Sequence, residues 1–129
     1  MQTILIVDDQ EIVRDAAKAL VEWCGFATME AASGAEALQV FELHREQISG
    51  VLLDMVMPEL SGEATLLLLQ QSRADLPIVM MSGMPKEDVS DFLLRHAEVG
   101  FVQKPYHVHE LLASLNSVLV PSVEAAVGE

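Results

Sequence analysis

The sequence predicts an α/β fold: a doubly wound (βα)5 three-layer sandwich in which five parallel strands alternate with five helices. Short apolar runs at Ile4–Val7, Val51–Leu53 and Pro77–Met81 lack polar alternation and read as strands buried on both faces. Between them, apolar residues recur at helical spacing. Polar residues, glycines or prolines punctuate each change of element, so strand and helix alternate along the chain. Such alternation calls for a parallel sheet with right-handed crossovers.

Ile4 to Val7 is rich in β-branched residues and stops abruptly at Asp8, Asp9 and Gln10. From Glu11, the positions Val13, Ala16, Ala17, Leu20 and Cys24 make a helical stripe, and Gly25 supplies a left-handed terminator. Phe26 to Glu30 is a weaker strand, and Ser33 with Glu36 has capping-box spacing ahead of a helix bearing Ala37, Leu38 and Phe41. Ser49 and Gly50 mark the turn into the third strand, which ends at Asp54, and Pro58 closes off regular pairing. Ser61 or Gly62 starts a third helix toward Gln71; its run Leu66–Leu69 exceeds one stripe and is read as core. Pro77 to Met81 ends at Ser82 and Gly83, and Pro85 opens a helix with the stripe Val89, Phe92, Leu93 and Ala97. Gly100 to Gln103 delivers Lys104 and Pro105, and Val108, Leu111, Leu112, Leu115 and Leu119 line a last helix before Pro121. The domain is expected over residues 1–120, with 121–129 a flexible tail or the start of a linker.

The 7 Lys+Arg against 20 Asp+Glu give a formal charge of −13, which speaks against a nucleic-acid partner. The single cysteine, Cys24, cannot form an internal disulfide, and a cytoplasmic setting is expected. The first residues lack a basic region and a long apolar run, and no run reaches membrane-spanning length, so neither secretion nor membrane contact is signalled. The histidines read as surface or packing residues, and Trp23 and the methionines as packing residues; His107 and His109, two apart on a helix, are not expected to face each other.

In flavodoxin-like sheets, strand order 2-1-3-4-5, the ligand crevice lies at the carboxyl ends where the order reverses. Asp8 and Asp9 follow the first strand, Asp54 the third, Ser82 the fourth and Lys104 the fifth, so all five converge on one edge. Singly, each has a plainer reading: Asp54 or Ser82 as a turn or helix cap, an acid at a helix start, Lys104 as a solvated cation. Together they imply more. At about 4 Å and an effective dielectric of about 20, each like-charged pair costs about 4 kcal/mol, which a divalent cation relieves. Carboxylate oxygens suit Mg²⁺, an ion held by one or two carboxylates plus phosphate oxygens. Phosphoryl transfer needs a nucleophile, a cation and donors to developing charge, roles open to Asp54, Mg²⁺ with Lys104, and Ser82.

The segments Ile4-Leu-Ile-Val-Asp-Asp9, Leu53-Asp-Met-Val-Met-Pro58 with Gly62, Met81-Ser-Gly83 and Gly100-Phe-Val-Gln-Lys-Pro105 together resemble the receiver domain of two-component response regulators, the fold of the chemotaxis regulator. The resemblance implies that Asp54 accepts a phosphoryl group from a phosphohistidine donor, a histidine kinase or histidine phosphotransfer domain. It implies that Asp8, Asp9, Asp54 and the backbone carbonyl of Val56 hold Mg²⁺. Lys104 would pair with the phosphoryl group, Ser82 would reorient toward it, and Phe101 would turn inward and alter the surface of the fourth helix, fifth strand and fifth helix. The Lys104–Pro105 bond is commonly cis in that family. Phe101 stands where many relatives carry tyrosine, while Val56 and Met84 are apolar where some orient a hydrolytic water, so slow self-dephosphorylation is expected.

Such a module acts on itself and is not an enzyme with an external substrate. The alternatives are a Mg²⁺-dependent aspartyl-phosphate phosphatase of the haloacid dehalogenase kind, a flavodoxin-like cofactor binder, and an unphosphorylated pseudo-receiver. The first wants Asp-x-Asp where this chain has Asp8-Asp9-Gln10, and the second a Gly/Ser/Thr-rich phosphate loop. Leu76–Gly83 and Phe101–Tyr106 most resemble receivers at the C-terminus of hybrid sensor histidine kinases. No output domain is read after residue 121, which leaves a stand-alone receiver and a piece of a larger protein both open, as are an intramolecular kinase core and a homodimer as partners.

Overall fold

The apolar runs assemble into one parallel sheet, described over residues 1–119 by a computed structural model; the segment expected as a tail lies outside those residues. Strands β1 (Thr3–Val7), β2 (Ala27–Ala31), β3 (Ile48–Asp54), β4 (Ile78–Ser82) and β5 (Gly100–Gln103) pair in the order β2-β1-β3-β4-β5. Every pairing is parallel. Successive side chains of a strand point to opposite faces, and both faces are covered, so the central runs carry no polar alternation. Helices α1 (Glu11–Trp23) and α5 (Val108–Val118) cover the face bearing Ile4, Ile6, Leu52 and Val79. Helices α2 (Gly34–Leu43), α3 (Gly62–Ser72) and α4 (Ser90–Arg95) place Phe41, Leu66, Leu69 and Phe92 against Leu5, Val7, Leu53 and Met80 on the other.

Five expectations need correction. Ser49 and Gly50 are not a turn but lie within β3, where the register shifts: Thr3 pairs with Ile48 and Ile4 with Gly50, leaving Ser49 extra. A Cβ at Gly50 would stand 2.9 Å from Leu119 Cδ2, so that glycine serves close packing. The leucine run of α3 is core only at Leu66 and Leu69; Leu67 and Leu68 face outward, as 3.6 residues per turn requires. Pro85 opens a 3-10 turn at Lys86–Asp88, and α4 itself is six residues long, with Ala97 exposed beyond it. Trp23 is 79 % exposed, because the buried line of α1 runs through Ala17 and Val21. His107 precedes α5 as its N-cap rather than lying on it, and its ring stacks parallel to that of His109 at 5.8 Å.

Candidate functional site

Parallel register brings the polar strand ends level. Val7 pairs with Leu53 and Asp54 with Met81, so Asp8, Asp54 and Ser82 leave the sheet side by side. Asp8 is fully buried and tied at each oxygen of its carboxylate: Gln10 N–H donates to Oδ1 at 2.9 Å and Lys104 Nζ to Oδ2 at 2.9 Å. Asp54 is nearly as buried; its Oδ1 accepts from Val56 N–H at 3.3 Å and its Oδ2 stands 3.5 Å from Lys104 Nζ. Asp9, adjacent in sequence, is exposed. Ser82 is buried, its Oγ accepting from Met84 N–H at 3.0 Å, and its carbonyl receives the Lys104 N–H at 2.7 Å, just before a cis Lys104–Pro105 bond.

A glycine permits this crowding around Asp54. A Cβ on Gly62 would lie 2.3 Å from the Asp54 carbonyl oxygen and 2.5 Å from Met55 Cα, so only a residue without one lets α3 start here. Gly62 N–H also donates to the Met55 carbonyl at 3.1 Å, closing the β3–α3 loop onto itself. Within that loop Glu59 adopts φ +67°, and Ser61 caps α3 by accepting from Ala64 N–H at 3.1 Å.

Charge is concentrated here beyond what Lys104 neutralises. Oxygens of Asp8, Asp9 and Asp54 lie within 4.8 Å of one another. Burial raises the Asp54 carboxyl above its ordinary value, Lys104 pulls it back, and Asp8 raises it again. Burial, with Asp8 and Asp54 adding to it, pushes the Tyr106 phenol up to about 12, and its hydroxyl donates to Met81 Sδ at 3.5 Å. The three carboxylates form a hard-oxygen donor set: Asp9 and Asp54, with Val56, Gly83 and Lys104, line a cleft of about 340 Å³, and Asp8 lies buried within reach of both. An oxygen-only set with room for retained water fits Mg²⁺ rather than a softer metal.

Thus the structure brings together Asp8, Asp9, Asp54 and Lys104, with Val56 on the cleft wall and Ser82 on the same edge. Phe101 stands apart, partly buried against the α2–α3–α4 side and bordering a groove between α4 and α5. Sequence reasoning missed Arg14, whose guanidinium donates to the Asp8 carbonyl at 2.8 Å. A cation in the first turns of a helix, where the dipole opposes it, was the available signal. It also missed the link from α3 to α4, where Glu63 accepts from Arg95 at 2.9 Å and lies 3.1 Å from His96 Nε2.

A model of the response regulator receiver domain matches residues 4–116, and the chain belongs to that family. It is therefore a receiver domain of two-component signalling, a class whose members are phosphoacceptors. The sensor kinase CckA of Brucella abortus is 31% identical over 117 residues, which make up 91% of this chain and 12% of that protein. The probable transcriptional regulator ycf27 of Porphyridium aerugineum is 34% identical over 92% of this chain and 48% of its own length. The chain thus spans about half or less of these curated relatives. Among solved structures, the CheX-CheY-BeF3-Mg²⁺ complex of Borrelia burgdorferi superposes with a TM-score of 0.80 at 27% identity, over 91% of this chain and 88% of that one. Among the described residues, no helix is long and apolar enough to cross a membrane.

Proposed function

We propose that Asp54 is the phosphoacceptor of a phosphorelay, charged by a phosphohistidine donor with Mg²⁺ held by Asp8, Asp9, Asp54 and the Val56 carbonyl. The observation that carries this reading is a nearly buried carboxylate opening on the cleft, with Lys104 Nζ 3.5 Å from its Oδ2 and two further acids beside it. An Asp54 oxygen attacks phosphorus, the P–N bond to the donor imidazole breaks, and the electron pair returns to that nitrogen, which takes a proton from water. Lys104 meets the charge on the transferring group. When bound, the metal neutralises charge on the phosphoryl oxygens.

The acyl phosphate adds about −1.5 to −2 charge and strong acceptor oxygens, which draw Ser82 Oγ from Met84 N–H and free space for Phe101. The partner-binding surface that changes is the α4–β5–α5 face. The donor docks beside α1. An apolar groove of about 470 Å³ there is lined by Ile12, Val13, Ala16, Leu20 and Pro105, and Lys104 lines both this groove and the cleft. A donor helix seated in it reaches Asp54 without passing through the sheet. Similarity to a sensor kinase supports an origin in a larger signalling protein, with this domain spanning residues 1–120 and acting in the cytoplasm.

The test is intact mass after incubation with Mg²⁺ and acetyl phosphate, beside Asp54→Asn and a sample with EDTA. One phosphoryl adduct, absent from both controls, is expected. An adduct that persists in Asp54→Asn overturns the assignment.

A further inference from the structure

Asp9 has no side-chain hydrogen bond among the described residues, unlike Asp8 and Asp54. Its carboxylate is therefore aimed by its backbone alone. The peptide that carries Asp9 begins at the Asp8 carbonyl, and that oxygen accepts from Arg14 Nη1 at 2.8 Å. Because the peptide unit is planar, holding this oxygen fixes the plane from which Asp9 projects. The preceding peptide unit is anchored as well, by Asp8 N–H, which donates to the Ala31 carbonyl at 3.2 Å.

Arg14 is itself held in place. Its Nε lies 3.2 Å from Glu30 Oε1, Lys18 reaches the other oxygen of Glu30 at 3.3 Å, and the Arg14 side chain is only 15 % exposed. Position 14 lies in the first turns of α1, where the helix dipole disfavours a cation. Glu30, on neighbouring β2, offsets that penalty. Only a guanidinium offers separate donors at the spacing this bridge needs: one nitrogen for the carbonyl, another for the carboxylate.

We infer that Arg14 is a positioning residue for metal binding: through the Asp8 carbonyl it presets the direction of Asp9, with Glu30 as its anchor. This rests on the proposed assignment of Asp8 and Asp9 as Mg²⁺ ligands. A group that orients ligands from behind changes metal affinity by about 10- to 100-fold when removed.

The experiment is calorimetric titration of the unphosphorylated protein with Mg²⁺, paired with thermal melts, for wild type, Arg14→Lys, Glu30→Gln and the remote control Arg73→Lys. Arg14→Lys is expected to weaken Mg²⁺ binding about tenfold. Glu30→Gln, which leaves Arg14 present but unanchored, gives a smaller loss in the same direction, and Arg73→Lys none. The melts separate positioning from a structural role: loss of stability with Mg²⁺ affinity intact in Arg14→Lys overturns the inference. Should that variant fail to fold, Glu30→Gln decides, and wild-type affinity there overturns the inference. Failure of the wild type to bind Mg²⁺ overturns the metal assignment and this inference together, and shows in the first titration.

Discussion

The two ends of the sheet hold their loops by opposite means. At the amino ends, Arg45 donates to Ser72 Oγ at 2.7 Å and to the Ser72 carbonyl, and Arg73 donates to the Ile48 carbonyl at 3.2 Å. Cations there meet backbone oxygens, and the Arg45 guanidinium lies over the Phe41 ring at 5.5 Å. At the carboxyl ends, two buried carboxylates share one lysine. The first arrangement matches cations to neutral oxygens and a ring; the second leaves two carboxylates with one lysine between them. The difference marks where stability has been conceded to function.

Asp54→Asn breaks this contrast most completely. It is expected to abolish the phosphoryl adduct and at the same time to raise the melting temperature at neutral pH. Because the Asp54 carboxyl is raised in the folded protein, the folded state binds its proton more tightly than the unfolded chain. That contribution is fully present below the ordinary carboxylate value and is lost as pH rises through the raised one. Melts of wild type should therefore lose this increment across that window, and Asp54→Asn should not. Equal slopes for the two proteins would show that the charge at this edge is already compensated.

Gly62→Ala is next. With the Asp54 carbonyl 2.3 Å from the added Cβ, α3 must shift, and a loss of about 1–3 kcal/mol in denaturant unfolding is expected, with slower adduct formation. Arg73→Met, at the opposite end, should cost about 1 kcal/mol for the unmet Ile48 carbonyl while leaving the adduct yield unchanged. A lowered yield would show that the two ends are coupled. Val56→Asn, on the cleft wall, is expected to shorten the phosphoryl lifetime, measured by decay of the adduct mass, with little change in stability. Smallest is Glu63→Gln: the pair with Arg95 is exposed and should contribute about 0.5 kcal/mol or less.

Strand positions and the convergence of Asp8, Asp9, Asp54, Ser82 and Lys104 on one edge could be read from the chain, because buried parallel strands write themselves as apolar runs with polar ends. What escaped depends on contacts between distant segments. Gly50 resembles a turn residue until Leu119 is placed above it, and Gly62 shows its necessity only against the Asp54 carbonyl. Helix α4 proved short because its buried stripe ends at Phe92 and Leu93, after which His96 turns to Glu63 and packs on the Phe92 ring at 4.6 Å. Arg14 was legible as an anomaly, a cation in the first turns of a helix, but its target was not, since a backbone carbonyl leaves no mark in a sequence.

The Lys104–Asp8 bond joins positions 96 apart in the chain. A contact of that span closes late, after shorter loops have formed, because the entropy of bringing distant segments together must first be offset by other pairings. During synthesis Asp54, the proposed acceptor, emerges long before the lysine that completes its surroundings. A nascent or partly unfolded chain therefore presents Asp54 without its lysine partner. With Asp54 as the proposed acceptor, competence to receive a signal arrives with the last strand, and the relay addresses only molecules that have finished folding.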